Sequence, residues 1–301
     1  LDLKASEVNI LATLNRRPEP YHQRIIDFAN NVVSAGDADL AAVSKEIKFR
    51  QPNLEKKIDY DKWPRKSLVD LFLQPGATHE EFRRGSAVIE IDEDDVSIGH
   101  EASVSKGEQK IAVEMHRKGR VSDLEGEVLK IIVMSSDRPN ELLIQYQVIG
   151  FPKNVPLHFG VELNFAAMPG NEQDRYFYDA SGQRLGTLDT LQDQSDADRI
   201  SLVDEWLGLD VALELSQPGG IWTMPIETIS QSEGGFEAVH QSVCVVPHWE
   251  FVMPDAGAWV VDLRIIFDSS VAAARKLAQA TPRSISVPVA VGSGMIDDRF
   301  E

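Results

Sequence analysis

The spacing of apolar residues changes near residue 86 and divides the chain into two kinds of structure. Before that point, apolar residues between Ile25 and Val33 recur at intervals of three and four, which predicts an amphipathic helix. Similar spacing at about 37–50 and at 63–73 predicts two further helical segments. We therefore expect the beginning of the chain to be largely helical.

Beyond that point apolar and polar residues alternate, as they do in strands that bury one face. The clearest cases run from Leu157 to Phe165 and from Trp259 to Phe267. Eight or more such segments follow one another, most of them separated by short turns and without helices between them. This order predicts a mainly β chain that forms a large antiparallel β-sandwich rather than a parallel α/β sheet. The segment Val128 to Met134 is apolar nearly throughout and predicts a strand buried on both faces.

Two stretches interrupt the alternation. Residues 168–198 are rich in Gly, Asp and Gln and predict a long excursion with a small hairpin at about 175–185. Near the end, residues 271–280 predict a short helix. We expect the following organisation: one β-sandwich domain over 1–267, a helical insertion within it at about 21–84, and a C-terminal tail over 268–301.

Composition and charge narrow the classes of partner. The chain has 301 residues and a formal net charge of −18, from 30 Lys and Arg against 48 Asp and Glu. This balance argues against nucleic acid as a partner, because neutralising phosphates requires clustered Lys and Arg. No apolar run approaches the roughly 18 residues of a membrane-spanning helix, so no membrane partner is expected. The single Cys244 leaves no intrachain disulfide and fits a reducing, cytoplasmic location.

The chain does not begin with Met, and its first residues do not form a signal peptide. We expect the sequence to be a piece cut from a longer protein.

The segment 222–236 (WTMPIETISQSEGGF) carries an unusual concentration of polar groups. We expect it to leave a strand at Pro225 and to hold Glu227, Gln231 and Glu233 together in a loop. Two carboxylates beside hydroxyls and an amide fit a sugar site or an acid/base pair, although glycoside hydrolysis needs carboxyl groups roughly 5–10 Å apart. The alternative is that these groups cap their own turns and pair with an edge strand.

A second polar cluster lies on the strand 157–165, where His158, Glu162 and Asn164 project from the side opposite the apolar residues. This face either lines a concave surface that binds a polyol or is the solvent side of an antiparallel sheet. The seven histidines include no His-Glu-x-x-His motif and no paired ligand spacing, so we expect no metal site and no cofactor. The acidic run 92–95 lacks the glycine and closing glutamate of an EF-hand and is expected to be a solvated loop.

A third cluster combines basic and aromatic side chains near the start of the chain, at Arg16, Arg17, Tyr21 and His22. Such a patch either meets a ligand or a neighbouring domain, or closes a local salt-bridged turn. The residues alone leave this choice open.

Four segments occur in the same order in a known module: 14–22 (LNRRPEPYH), 60–73 (YDKWPRKSLVDLFL), 159–165 (FGVELNF) and 222–236. Together they resemble the C-terminal β-sandwich region of family-57 glycoside hydrolases, the 4-α-glucanotransferase and α-amylase group. The resemblance runs from residue 1 to about 267 and implies a galactose mutarotase-like supersandwich. In that family the catalytic carboxylates lie on an N-terminal (β/α)₇ barrel, so the resemblance implies no catalytic residue in this chain.

The resemblance implies an accessory domain of an α-glucan-processing enzyme, which supports a catalytic barrel and binds α-1,4-glucan. The early sandwich loop of the family lies near the substrate cleft of the barrel, which makes the basic–aromatic cluster a contact candidate. The candidates for contact with carbohydrate or with the barrel are Arg16, Arg17, Tyr21, His22, His158, Glu162, Asn164, Trp222, Glu227, Gln231, Glu233 and Phe236.

Two alternative functions remain open. The first is a stand-alone carbohydrate-binding module, whose mark would be a row of exposed aromatic rings. We expect Trp222, Trp249 and Trp259 to lie in the core instead, because they occur in apolar strand-like contexts. The second is a mutarotase-like sugar epimerase that uses a His/carboxylate pair for proton transfer. Its candidates are His158, Glu162, Glu227 and Glu233, and it requires that a His and a carboxylate converge in one concave pocket.

Overall fold

A computed structural model of the protein describes residues 4–5, 8–9, 15–34, 49–105, 108–166, 168 and 170–280. Its helices are α1 (Pro20–Ser34), a 3-10 helix (Leu54–Lys57), α2 (His79–Arg83) and α3 (Ser270–Ala280). Its strands are β1 (Lys4–Ala5), β2 (Val8–Asn9), β3 (Val69–Leu73), β4 (Val88–Ile89), β5 (Ile91–Ser105), β6 (Glu108–Val121), β7 (Leu124–Ser135), β8 (Arg138–Ile149), β9 (Pro156–Ala166), β10 (Arg175–Asp179), β11 (Arg184–Thr187), β12 (Gln192–Asp204), β13 (Leu209–Ser232), β14 (Gly235–Val252) and β15 (Ala258–Asp268).

The strand β13 joins the two layers of the sandwich. Its first part, 210–215, pairs antiparallel with β15, and its later part, 220–232, pairs antiparallel with β14. In the described part of the chain the hydrogen-bonded order is β4-β3-β9-β14-β13-β15-β8-β7-β6-β5, with β12 beside β13. Both layers therefore belong to one hydrogen-bonded sheet, which passes through β13 and folds back on itself.

The core lies between these two layers. Phe159 of β9 packs against Tyr146 of β8 and Trp259 of β15, with ring centroids 5.5 and 6.0 Å apart. The alternating apolar residues of β9, from Leu157 to Phe165, are all buried in this core. The mainly antiparallel β fold predicted from the alternation is confirmed, and so are the helix at α1, the β10–β11 hairpin and the helix at α3. The helix predicted at about 37–50 lies outside the described residues, apart from residues 49 and 50.

The predicted helix at 63–73 is wrong. Residues 69–73 form β3, which pairs with β9 on one side and β4 on the other. Both faces of β3 are covered, so Leu71, Phe72 and Leu73 are all buried. The continuous apolar run of such a strand was mistaken for the apolar face of a helix. The region at about 21–84 therefore contributes a strand to the sheet as well as helices.

The strand predicted to be buried on both faces, 128–134, is buried on only one. Val128, Lys130 and Ile132 point into the protein, whereas Ile131 is half-buried and Met134 is exposed. Its outward face carries apolar residues without a covering layer, so apolar composition alone misled the prediction.

Two segments expected to be loops are strands. The acidic run 92–95 lies within β5, which pairs with β6 through an irregular register between Glu93 and Asp95. The chain also does not leave its strand at Pro225, which lies opposite Val243 in the β13–β14 ladder. Among the described residues, β12 pairs with β13 only as far as Thr223, so no strand is paired with the β12 side of β13 at Pro225. The missing N–H of Pro225 therefore interrupts no hydrogen bonds to β12.

Candidate functional site

The segment before α1 is held on the sheet by buried ion pairs. Asp61 accepts hydrogen bonds from the Arg16 guanidinium at 2.7 and 3.0 Å and from the Arg16 backbone N–H at 2.7 Å. The same carboxylate accepts a bond of 2.8 Å from Nε of Arg65. Burial of Asp61 opposes its ionised form, but the bonds from Arg16 and the charge of Arg65 outweigh burial and lower the pKa of Asp61.

The network continues into the sheet at Glu162, whose side chain is 0% exposed. Glu162 accepts hydrogen bonds from Nη1 of Arg65 at 2.9 Å, Nε1 of Trp63 at 2.8 Å and Nδ2 of Asn164 at 2.7 Å. Ser67 adds a further pair of bonds to the backbone of Asn164. The face of β9 that carries Glu162 and Asn164 is thus neither solvated nor a concave ligand surface, because residues 61–68 cover it.

Next to this network of buried ion pairs, several of the residues predicted to contact carbohydrate or a barrel line one small cavity of about 230 Å³. Arg16, Arg17, Tyr21 and His22 meet Glu227 there, although the two groups are about 200 positions apart in the chain. The Tyr21 hydroxyl donates to the Ile229 carbonyl at 2.7 Å, and its ring stacks on Phe236 at 5.7 Å. The cavity therefore brings together five of the twelve predicted contact residues, which are Arg16, Arg17, Tyr21, His22 and Glu227. A sixth, Phe236, lies against the Tyr21 ring.

The chemistry of this cavity is mixed. Nζ of Lys57 lies 2.9 Å from both carboxylate oxygens of Glu227, while Arg17 and Glu19 are exposed at the rim. His22 is buried against Tyr60, with its Nδ1 3.3 Å from the Tyr60 hydroxyl. Burial lowers the pKa of His22 against the opposing effects of Glu19 and the Ile229 carbonyl, so its ring is neutral at neutral pH. Donors, acceptors and one aromatic edge suit a neutral polar ligand or a polar protein surface.

The remaining residues of the polar segment lie away from this cavity. Gln231 pairs with Phe236 near the end of the β13–β14 hairpin, and both Gln231 and Glu233 are exposed there. Glu227 and Ser232 are five residue steps apart along an extended strand, roughly 17 Å at strand rise. This separation excludes Glu227 and Glu233 as a hydrolytic carboxylate pair, which needs roughly 5–10 Å.

Trp222 lines a second recess that the sequence did not predict, and His158 adjoins it through His248. Nδ1 of His158 lies 3.2 Å from the Gln74 carbonyl, and Nε2 of His158 lies 2.9 Å from Nδ1 of His248. A carbonyl only accepts, so Nδ1 of His158 carries its proton and His248 donates from Nδ1 to Nε2 of His158. Trp222 packs between His248, at 3.9 Å, and His79, at 5.8 Å, and donates to Asp193 at 2.9 Å.

This recess has a volume of about 450 Å³ and is lined in part by His79, His248, Asp193 and Glu250. Burial, with the neighbouring His158 and His79, lowers the pKa of His248 to about 3. His248 and Glu250 of this recess lie near the end of β14, which runs to Val252. A signal was present in the sequence, because Gly219 and Gly220 occur together in a strand and only glycine leaves room there for Trp249 and His248.

Among the described residues, no group of three or more His, Cys, Asp or Glu side chains is arranged to hold a metal ion. Within the same residues, no helix combines the length and the apolar character needed to cross a membrane. Cys244 is fully buried and has a raised pKa, chiefly because of burial, as in a small apolar core residue. Trp222, Trp249 and Trp259 are also buried, as expected.

The fold and the cavity lined by Arg17, Tyr21 and Glu227 define an antiparallel β-sandwich domain with a polar pocket between α1 and the edge of its sheet. Residues 1–263 match the family described as "Alpha-amylase/4-alpha-glucanotransferase, C-terminal", and the chain belongs to that family. The resemblance drawn from the four sequence segments is therefore confirmed.

Individual relatives agree with this assignment. The chain is 24% identical over 269 residues to Alpha-amylase 1 of Dictyoglomus thermophilum. The aligned region covers 87% of this chain and 36% of that protein. It is 26% identical over 243 residues to the 4-alpha-glucanotransferase of Thermococcus kodakarensis, covering 81% of this chain and 32% of that protein. The chain thus spans about a third of the length of the curated relatives it matches.

Among solved structures, the 4-alpha-glucanotransferase of Thermococcus litoralis shares the fold. It superimposes with a TM-score of 0.55 at 20% identity, over 86% of this chain and 32% of that structure.

Proposed function

We propose that this chain is the accessory C-terminal domain of an α-glucan-processing glycoside hydrolase or 4-α-glucanotransferase, where it supports a catalytic barrel and binds α-1,4-glucan. The observation that carries the proposal is the cavity at which Arg17, Tyr21 and Glu227 meet. The family assignment supports the choice of parent enzyme, and the relatives named amylase or glucanotransferase are about three times the length of the matched region.

The buried network beside the cavity supports a role in positioning. Buried ion pairs are a weak source of stability, because desolvation offsets most of their attraction, but they tolerate only one geometry. Arg16 is bonded to Asp61 and cannot turn outward without leaving that carboxylate short of a partner. The network therefore fixes the backbone on which Arg17 and Tyr21 are presented, and Arg16 acts as a positioning residue.

The two contact residues would act differently. The exposed guanidinium of Arg17 donates several hydrogen bonds in a fixed plane and suits either sugar hydroxyls or carbonyl oxygens of a neighbouring domain. The Tyr21 ring is fixed by Phe236 and by its hydroxyl bond to the Ile229 carbonyl, so it offers a rigid apolar edge to a sugar.

Titration calorimetry of the 301-residue chain with maltoheptaose tests the glucan part of the proposal. We expect heat with wild type and a loss of affinity in Arg17→Ala. The matched control is Arg84→Ala, which changes an exposed arginine directly after α2. Absence of heat at millimolar maltoheptaose in the wild type would remove glucan binding and leave only the structural role. The coding sequence upstream of Leu1 tests that role, because a barrel with two catalytic carboxylates is expected there.

A second candidate function is aldose 1-epimerisation, and one observation favours it. His79 and His248 line one recess with Asp193 and Glu250, so imidazoles and carboxylates do converge, although of the predicted candidates only His158 adjoins it. The low pKa of His248 makes it a weak base, since general bases work best near the operating pH. Polarimetry of freshly dissolved α-glucose tests this candidate: a rate no faster than in buffer excludes it.

The remaining alternative, a stand-alone carbohydrate-binding module, would bind maltoheptaose without any upstream barrel. We place the protein in the cytoplasm, for which the single buried Cys244 is the supporting feature.

A further inference from the structure

The turn between β12 and β13 holds an indole ring out into solvent. Trp206 is 68% exposed, whereas the other four tryptophans are buried or half-buried. Single exposed apolar residues are common on protein surfaces. Trp206 differs because other elements fix its backbone and because aromatic and polar side chains border a cavity beside it.

Three contacts hold this turn in place. Asp204 is fully buried and accepts bonds from the Leu207 backbone N–H at 2.8 Å and from Arg175 at 3.1 Å. Arg275 of α3 donates to the Trp206 carbonyl at 2.7 Å. Gly208 has a φ of +70°, and a Cβ there would lie 2.7 Å from the Ala272 backbone N. The turn is therefore preorganised. A ligand that stacks on the indole needs to order little of the backbone, so the entropic cost of binding is small.

The cavity beside the turn has a volume of about 530 Å³, within the usual range for small-ligand sites. Tyr176 and Tyr178 form one wall, and their hydroxyls donate to Glu205 at 3.1 Å and to Asp210 at 2.7 Å. Each bond engages one carboxylate oxygen and leaves accepting capacity on the other. Arg275 is a donor at the rim, so the cavity offers both acceptors and donors.

We propose that Trp206 and the adjoining cavity form a second saccharide-binding surface, which takes a neutral α-linked glucan chain. The choice of glucan rests on the proposed function, whereas the choice of a saccharide rests on the surface itself. The Arg175 guanidinium lies over one face of the Trp206 ring, 5.9 Å from its centroid, so a pyranose packs its C–H face on the other. The sugar hydroxyls donate to Glu205 and Asp210 and accept from Arg275. The lining of the cavity holds four carboxylates, of Asp204, Glu205, Asp210 and Asp268, and one guanidinium, of Arg275, which disfavours anionic ligands such as phosphates.

Two variants of the full chain test this surface with maltoheptaose as the probe. Trp206→Ala removes the ring and should weaken binding by roughly five- to tenfold, because an aromatic contact of this kind is worth on the order of one factor of ten. Trp206→Phe keeps a flat ring and should retain most of the affinity. Val252→Ala, which changes an exposed apolar residue at the end of β14, is the control and should bind as wild type.

Acrylamide quenching provides a second readout, because a neutral quencher reaches Trp206 far more readily than the buried tryptophans. Saturating maltoheptaose should protect the wild-type fluorescence and leave the residual fluorescence of Trp206→Ala unprotected. If Trp206→Ala binds as wild type while Arg17→Ala does not, this surface is wrong and the proposed function stands. If no variant and no wild type binds, both the surface and the glucan part of the proposed function fall. Protection of Trp206 by oligolysine, but not by maltoheptaose, would overturn the surface and identify a site for basic peptides.

Discussion

Arg65 and Glu162 form a buried ion pair, with Nη1 of the guanidinium 2.9 Å from Oε2 of the carboxylate and 97 positions between them in the chain. The pair joins the segment that follows the 3-10 helix to the central strand β9, and it shares Asp61 with Arg16. The orientation of the candidate pocket thus depends on charges that lie behind it.

Removing one partner of the buried pair should destabilise the domain strongly. Arg65→Met leaves Glu162 and Asp61 buried with fewer partners, and we expect a loss of about 3–5 kcal/mol in the free energy of unfolding. Urea unfolding measures this loss. The control is Arg84→Ala, which breaks an exposed pair with Glu80 and should cost about 0–0.5 kcal/mol. Equal effects of the two variants would show that the buried network does not hold the segment.

Substitutions of the adjacent residues Arg16 and Arg17 should affect different properties, stability at Arg16 and maltoheptaose binding at Arg17. Arg16→Met removes charge-assisted hydrogen bonds to buried Asp61 and should cost about 1.5–3 kcal/mol in the free energy of unfolding. Arg17→Ala changes an exposed side chain and should alter stability by less than about 0.5 kcal/mol. Thermal unfolding of both variants, beside calorimetry with maltoheptaose, separates positioning from contact. The idea fails if Arg17→Ala unfolds as easily as Arg16→Met.

A methyl group at position 220 should not fit. A Cβ on Gly220 would lie 2.2 Å from the His248 ring, so Gly220→Ala must displace that ring and should cost about 1–3 kcal/mol, seen as a melting temperature lower by several degrees. Gly160 provides the control, because a Cβ there meets His248 at an ordinary 3.5 Å. Gly160→Ala should therefore be tolerated, and a larger effect there than at Gly220 would contradict the packing described.

Acidification should weaken the fold through the buried histidines. Burial is the leading cause of the lowered pKa at His79, His158 and His248. Below pH 6.5 the unfolded chain therefore binds protons at these histidines that the folded chain does not bind. Their contribution to the free energy of unfolding is complete above pH 6.5. It is lost as the pH falls toward their pKa values in the folded state, which is about 3 for His248. Each such histidine contributes up to about 1.4 kcal/mol per pH unit within that window.

Urea titrations between pH 7 and pH 5 measure this slope, before most carboxylates titrate. His248→Gln should reduce the slope by about one histidine. Val252→Ala, which removes no titratable group, is the control and should leave the slope unchanged. A free energy of unfolding that stays flat over this range would contradict the burial of the cluster.

Much of the architecture could be read from the sequence because strand alternation is local. The clean period of two at 157–165 and 259–267 followed directly from which side chains share a face. The same reasoning failed at 63–73 and at 128–134. A run of apolar residues shows that a segment is buried, but it does not show whether one face or both are covered.

The candidate site depended more on tertiary structure. The basic–aromatic cluster was recognisable from four nearby residues, but its meeting with Glu227 arises only when β13 lies beside the segment before α1. Glu162 and Asn164 seemed equally suited to a ligand surface, and their role became clear only from the residues that cover them. Trp206 gave no sequence signal, because exposure is a property of the folded chain.

The sequence by itself thus determined the mainly β character of the protein, the residues that share each strand face and, through its motifs, the family. The tertiary structure alone decided what covers the second face of β9, which polar residues form the two recesses, and which tryptophan remains in solvent. The physical reason is that periodicity records the local geometry of a strand. Ion pairs and cavities, in contrast, are formed by residues about 100 to 200 positions apart, whose meeting is set by how the sheet folds back on itself.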